Sequence, residues 1–245
     1  MQRFLAAVRF LTIIPIPGRM DHEDATLSGS LPFFPVVGLL IGTCMVVLAR
    51  GFVFLFPQPV AAVLAVIILL AISGGLHMDG LSDTADGFFS SRSREQVLEI
   101  MQDSRAGAMG VIAIVFVLAL KIAALATMPL ERMGWAVFLM PIAGRAALLV
   151  CMSLLPYARP EGGLATLFYS QSSKVGAIWG TVLLCLAGLL TSGRLGLIAG
   201  ALTMVFIFLF ARYCRRKIGG ATGDTLGAGC ELAESMIALV FSIQT

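Results

Sequence analysis

Five stretches of this chain, residues 33–49, 51–73, 106–120, 175–193 and 195–211, contain no Asp, Glu, Lys or Arg at all. Runs of this kind approach the ~20 apolar residues that a helix needs to cross the hydrocarbon core of a bilayer. A chain passing through lipid must satisfy its backbone hydrogen bonds internally, and apolar runs of this length do so as helices. Two further spans fit if each tolerates a single charge: 107–128 with Lys121 and 133–155 with Arg145, both expected to face the bundle interior or to snorkel. A short apolar segment at 233–245 makes seven spans, or six if it does not cross. The fold expected is therefore all-α, a polytopic transmembrane bundle in a single domain over 1–245 with short helical loops. Composition agrees: 58% of residues are hydrophobic and 13% charged, against about 45–50% and about 25% in soluble domains.

The distribution of charge orients the bundle. Under the seven-span reading Arg50, Arg132 and Arg194 fall on one side. All the other Lys and Arg outside the spans fall opposite, which predicts a cytoplasmic N-terminus and cytoplasmic motif loops. A net charge of +3 from 17 basic and 14 acidic residues gives no concentrated basic face, so nucleic acid is not an expected partner. The N-terminal segment, with Arg3 and Arg9 before a short run broken by Pro15 and Pro17, lacks a signal-peptide cleavage pattern and reads as an amphipathic segment at the membrane surface. The five cysteines have no CxxC or zinc spacing and read as small buried hydrophobes.

Most of the informative charge lies in two segments. The first, GGLHMDGLSDTADGFFSSRSREQVLEIMQDSRAG at 74–107, places Asp79, Asp83 and Asp86 at i, i+4 and i+7, within about 60° of arc on a helix. Three like charges on one face repel, so a cation is expected among them. Carboxylate oxygens suit Mg²⁺ or Mn²⁺ completed by water and substrate phosphates. The rise from Asp79 to Asp86 is about 10 Å, which favours one ion at a neighbouring pair or two ions clamping a diphosphate. The other reading is a solvated acidic helix face. His77 lies off that face and is read either as a packing residue or as a base or phosphate donor; His22, in an acidic linker, carries little signal. Glu95 and Glu99 beside Arg92 and Arg94 read as a solvated face. Asp103-Ser104-Arg105 sits where the chain re-enters the membrane, and the guanidinium of Arg105 can reach a phosphate there.

The second segment, RYCRRKIGGATGDTLGAGCELAE at 212–234, opens with a basic cluster suited to lipid headgroups. It continues as a glycine-rich loop around Thr222, Asp224 and Thr225, whose backbone N–H groups could approach phosphate oxygens. GK[ST] is missing, so this is not a P-loop.

Taken together, FLTIIPIP at 10–17, GGLHMDGLSDTADGFF at 74–89, EIMQDSRAGAMGV at 99–111 and GGATGDTLGAGCELAE at 219–234 resemble the cobalamin synthase family, the adenosylcobinamide-GDP ribazoletransferases of late vitamin B12 assembly. The region 156–174 carries no motif of that family. The resemblance implies Mg²⁺-dependent transfer of an adenosylcobinamide phosphate group from adenosylcobinamide-GDP to α-ribazole or its 5′-phosphate, with release of GMP, in the bacterial cytoplasmic (inner) membrane. It implies Asp79, Asp83 and Asp86 as metal ligands, with Asp83 and His77 in catalytic roles. Asp103 or Asp224 would complete a second metal site or act as base, and Ser104, Arg105, Thr222, Gly223, Thr225 and Glu231 would bind substrate. The small-molecule substrates and the lipid bilayer are the expected partners, and association into a homo-oligomer is compatible with such a bundle. A CDP-alcohol phosphotransferase would need an Ala-Arg after Asp79-Gly80 or Asp86-Gly87 that is absent. A cation transporter would place its carboxylates at mid-membrane instead of at the end of a span.

Overall fold

The computed structural model describes residues 1–16, 23–159, 166–169 and 174–244. Pro17, Arg19, Asp21 and His22 lie outside the described residues, as do the side chains of Glu23 and Asp24. In chain order the helices are α1 (Gln2–Leu11), α2 (Glu23–Ser28), α3 (Phe34–Leu55), α4 (Gln58–Ile72), α5 (Leu76–Phe88), α6 (Arg94–Ile100), α7 (Ala108–Thr127), α8 (Leu130–Leu154), α9 (Thr166–Tyr169), α10 (Lys174–Ile218) and α11 (Gly223–Phe241). Among the described residues there is no strand, only an isolated bridge between Tyr157 and Ala221. The protein is an all-α membrane protein.

Among the described residues four helical stretches are long and apolar enough to cross a bilayer: Thr26–Leu55, α7, α8 and α10. A fifth results if α4 and α5, bent by 90°, form one broken span. The 45-residue α10 is itself broken at Ser192 and Gly193, which leave helical geometry with Gly193 at φ +58. Its arms, 174–191 and 194–218, correspond to the two spans expected there. Three boundaries differ from the sequence expectation. Arg50 does not divide the first two spans: α3 continues to Leu55, and the break comes at Pro57, which starts α4. The 212–232 segment is not a loop, because α10 runs through Arg212–Lys217 and α11 begins at Gly223. For the same reason 233–245 is no separate span but the second half of α11, which carries Asp224, Glu231 and Glu234 among its apolar residues.

The consecutive glycines 74 and 75, at φ +62 and +75, turn the chain sharply between α4 and α5 in a conformation a Cβ would oppose. This turn lays α5 across α11, while α8 forms the centre, packed by α3, α10 and α11. Lys121 of α7 and Arg145 of α8 face the bundle interior, and both find partners on α11. Lys121 Nζ donates to Glu231 at 2.6 Å and to Glu234 at 2.8 Å, and Arg145 Nη1 donates to Glu234 at 2.9 Å. All four side chains are at most 4% exposed, and the two positive and two negative charges balance. Charges so deeply buried persist only when matched in this way. Cys151, Cys214 and Cys230 are buried free thiols, as expected, whereas Cys44 is exposed because it sits on an outward face of α3.

Candidate active site

The two motif segments meet because α5 and α11 cross in backbone contact. A Cβ on Gly80 would stand 2.7 Å from the carbonyl oxygen of Asp224, and one on Gly227 would stand 3.1 Å from the Cα and carbonyl oxygen of His77. Glycine at both positions lets the two backbones close to a distance that larger residues would hold open. The crossing brings Asp79 and Asp83, one turn apart on α5, to the first turn of α11 and Asp224.

The start of α11 is fixed locally. Thr222 is its N-cap: the Thr222 hydroxyl oxygen accepts from the Thr225 N–H at 3.3 Å, and the Thr225 hydroxyl oxygen accepts from the Thr222 N–H at 2.8 Å. This is a capping box with threonine in the place where glutamate or glutamine is usual. Thr222 and Thr225 are buried, so the structure gives them a capping role that holds Asp224 in position.

A cavity of about 240 Å³ opens beside the crossing. Its polar wall holds His77, Asp79, Asp224, Gly223 and Arg159, and its apolar wall holds Phe10, Leu148, Met152, Tyr157 and Phe168. Phe10, Phe34 and Phe168 pack as an aromatic cluster, with ring centroids 4.8 to 5.9 Å apart. Arg159 Nη2 donates to Asp224 Oδ2 at 2.7 Å, and the Thr222 hydroxyl donates to the same oxygen at 3.2 Å. Asp83 lies close enough to Asp79, Asp224 and Asp86 to be repelled by all three and attracted by Arg159. Among the described residues no hydrogen bond or ion pair holds the carboxylate of Asp79 or Asp83. Among the described residues the site therefore has more negative charge than Arg159 can balance.

The structure divides the remaining expected residues. Asp86 is engaged by α7: its two oxygens accept from the N–H groups of Gly107 at 2.7 Å and Gly110 at 2.9 Å, capping the N-terminus of that helix. It borders a second, shallow depression with Asp103 and Arg105. Asp103 and Arg105 pair with each other at 2.6 Å, and the Arg105 side chain is 87% exposed. The Arg105 N–H also bonds back to Asp103 Oδ1 at 3.0 Å, a local turn that keeps both groups, with exposed Ser104 between them, out of the cavity. Hydrogen bonds from Arg105 hold the Asp103 carboxyl down to about 2. Glu231, expected at the substrate, is instead two helical turns below Asp224 on α11 and bonded to Lys121 in the bundle interior.

Sequence reasoning missed Arg159, Tyr157 and Phe168, which fall in the stretch without a motif. It also missed the partners of Lys121 and Arg145. An isolated arginine next to proline gives no periodic signal, so only the folded chain shows that Arg159 reaches Asp224.

Among the described residues no three His, Cys, Asp or Glu side chains are close enough to share one ion. A Mg²⁺ ion needs less, since it binds through one or two carboxylates and takes its other oxygens from water and phosphate. The unpartnered pair Asp79 and Asp83 fits that requirement.

The family described as cobalamin-5-phosphate synthase matches residues 3–242. A relative from Acetivibrio thermocellus, described as adenosylcobinamide-GDP ribazoletransferase, is 39% identical over 98% of this chain and 97% of its own. Relatives with the same description from Roseiflexus sp. and Brevibacillus brevis are 42% and 38% identical, covering 93% and 98% of this chain and 84% and 97% of theirs. No solved structure matches. With the match extending across the bundle and both motif segments, the chain belongs to the cobalamin-5-phosphate synthase family and is an enzyme.

Proposed function

We propose that this enzyme transfers the adenosylcobinamide phosphate group from adenosylcobinamide-GDP to α-ribazole or its 5′-phosphate, releasing GMP, and that it requires Mg²⁺. The observation that carries this reading is the α5–α11 crossing, which gathers Asp79 from one motif and Asp224 from the other at a cavity with both a polar and an apolar wall, with Asp83 one turn from Asp79 and within electrostatic reach of both. The relatives' descriptions supply the substrate class. The concentration of Lys and Arg on the motif side supports a cytoplasmic site in the inner membrane.

In the reaction a ribazole hydroxyl attacks the phosphorus attached to cobinamide. A new O–P bond forms, the bridging P–O bond of the diphosphate breaks, and GMP leaves with the bridging oxygen. Asp79 and Asp83 would hold Mg²⁺, which when bound neutralises charge developing on the phosphate oxygens. Asp224 Oδ2 is occupied by Arg159 and Thr222, leaving Oδ1 to accept the proton of the attacking hydroxyl. His77, buried in the cavity wall, orients the bound phosphates. The aromatic and aliphatic wall of Phe10, Phe168, Leu148 and Met152 suits the flat base of ribazole and excludes water from the attacked phosphorus.

The test is an assay of the purified protein with adenosylcobinamide-GDP, α-ribazole and Mg²⁺. GMP and a cobalamin product should form together, and formation should stop when the metal is chelated. Absence of both products, or undiminished turnover in chelator, would overturn the reading.

A further inference from the structure

Arg159 is the only arginine or lysine among the described residues that lines the cavity, and the backbone holds it there. The chain leaving α8 runs alongside the approach to α11. The Ala158 N–H donates to the Ala221 carbonyl oxygen at 2.8 Å, and the Ala221 N–H donates to the Pro156 carbonyl oxygen at 2.9 Å. Gly220 permits this approach, since a Cβ there would run into the Pro156 carbonyl oxygen. Arg94 of α6 ties the strap down from the other side, donating through Nε to Ile218 O at 2.8 Å and through Nη2 to Ala158 O at 3.3 Å. Arg159 is thus anchored by its own backbone beside the first turn of α11, and its side chain is only 14% exposed.

The arginine is incompletely satisfied. Its Nη2 reaches Asp224 at 2.7 Å and the Met101 carbonyl oxygen at 3.4 Å, but its buried Nε has no acceptor. A buried donor of a charged group left without a partner is destabilising, so a missing acceptor is expected. Arg159 lines the cavity, and an acceptor bound there would compete with nearby carboxylates for a planar fork of donors, which suits a phosphate oxygen.

We propose that Arg159 receives a phosphate oxygen of the substrate through its buried Nε–H, while Asp224 fixes the orientation of the guanidinium. This rests on the transferase reading above. The phosphate has two sources, the diphosphate of the donor or the 5′-phosphate of the acceptor, and the chemistry at Arg159 is the same for both.

The experiment compares the parent protein with R159A and R159K, purified and supplied with Mg²⁺, by steady-state GMP release. Loss of a charge-assisted hydrogen bond should raise the relevant KM by about tenfold to a hundredfold in R159A. R159K, which keeps the charge without the fork, should fall between, and methylguanidinium should restore part of the R159A rate. A rise in KM for adenosylcobinamide-GDP with either acceptor places the donor diphosphate on Arg159. A rise confined to α-ribazole 5′-phosphate, with α-ribazole unaffected, places the acceptor phosphate there. Unchanged KM values for all three substrates, or a lowered kcat alone without rescue by methylguanidinium, would overturn the proposal. Should R159A fail to fold, R159K supports the proposal by a raised KM and overturns it by parental values. Calorimetric binding of inorganic pyrophosphate with Mg²⁺ separates this inference from the reading on which it rests. Binding about tenfold weaker in R159A or R159K upholds the role of Arg159 even if the parent turns over none of the proposed substrates, and equal binding overturns it.

Discussion

The molecule has two clusters of charge within its helices, and they are built on opposite principles. Lys121, Arg145, Glu231 and Glu234 form a closed set in charge, two positive against two negative, joined by hydrogen bonds of 2.6 to 2.9 Å. Asp79 and Asp224 at the wall of a cavity, with Asp83 beside them, form an open set that among the described residues faces Arg159 alone. α11 contributes to both: Glu231 and Glu234 lie in the interior, and Asp224 lies about two to three turns above them at the cavity. Where charge is balanced the cluster joins α7, α8 and α11 in the bundle interior, although among the described residues Nε and Nη2 of Arg145 make no hydrogen bond there. Where charge is left over, the protein alone does not complete the arrangement, and a cation and a phosphorylated substrate would do so.

Substitutions should affect the two clusters differently. The largest effect is expected at the closed set. Glu234→Ala strands Arg145, whose only ion pair among the described residues is with Glu234, and leaves Lys121 with Glu231 alone; removing one partner of a buried pair typically costs about 3–5 kcal/mol. Thermal unfolding in detergent should show a large drop in melting temperature, and a parental melting temperature would mean that the network does not hold the bundle. Next comes the open set. Asp79→Asn should lower turnover by roughly 10²–10³-fold, the scale seen when one group stabilising transition-state charge is removed, and should leave the melting temperature in place. A large stability loss there would erase the distinction between the clusters. Gly80→Ala acts where the helices cross. Its methyl would press on the Asp224 backbone, so a destabilisation of about 1–3 kcal/mol is expected together with reduced turnover. Full activity in this variant would show that the crossing need not be so close.

The smallest effect is expected at Arg105, although the sequence made it a phosphate binder. Its guanidinium is committed to Asp103 in solvent, so Arg105→Ala should change turnover by no more than about twofold. The sign of its pH dependence follows from Asp103. The folded carboxyl is held near 2, below its ordinary value of 3.8, so whatever the pair contributes is fully present above about pH 4. It is lost only as the pH falls toward 2. Parent and Arg105→Ala should therefore give parallel rate profiles between pH 6 and 9, and divergence in that range would return Arg105 to the site.

Helical spacing made the acidic face of α5 legible, because the i and i+4 positions of Asp79 and Asp83 depend on local geometry alone. The same arithmetic is silent on what else holds Asp86. It lies on that face but is drawn to the free N–H groups of Gly107 and Gly110, a contact across 21 and 24 residues that no spacing rule contains. Apolar runs marked the spans, yet they hid α11, whose acids look like a loop until Lys121 and Arg145 are seen to neutralise two of them. The role of Gly80 and Gly227 was invisible for a related reason. Glycine in a helix is read as weakness, and only the partner helix shows it as the condition for contact. Arg159 needed the backbone bridge at Ala221 before its position meant anything.

The most direct measurement is Mg²⁺-dependent GMP release from adenosylcobinamide-GDP by Asp83→Asn in reconstituted membranes, beside the parent. If the α5–α11 cavity is the active site, the variant inserts and melts like the parent but loses metal-dependent GMP release. Turnover near the parental rate would contradict it.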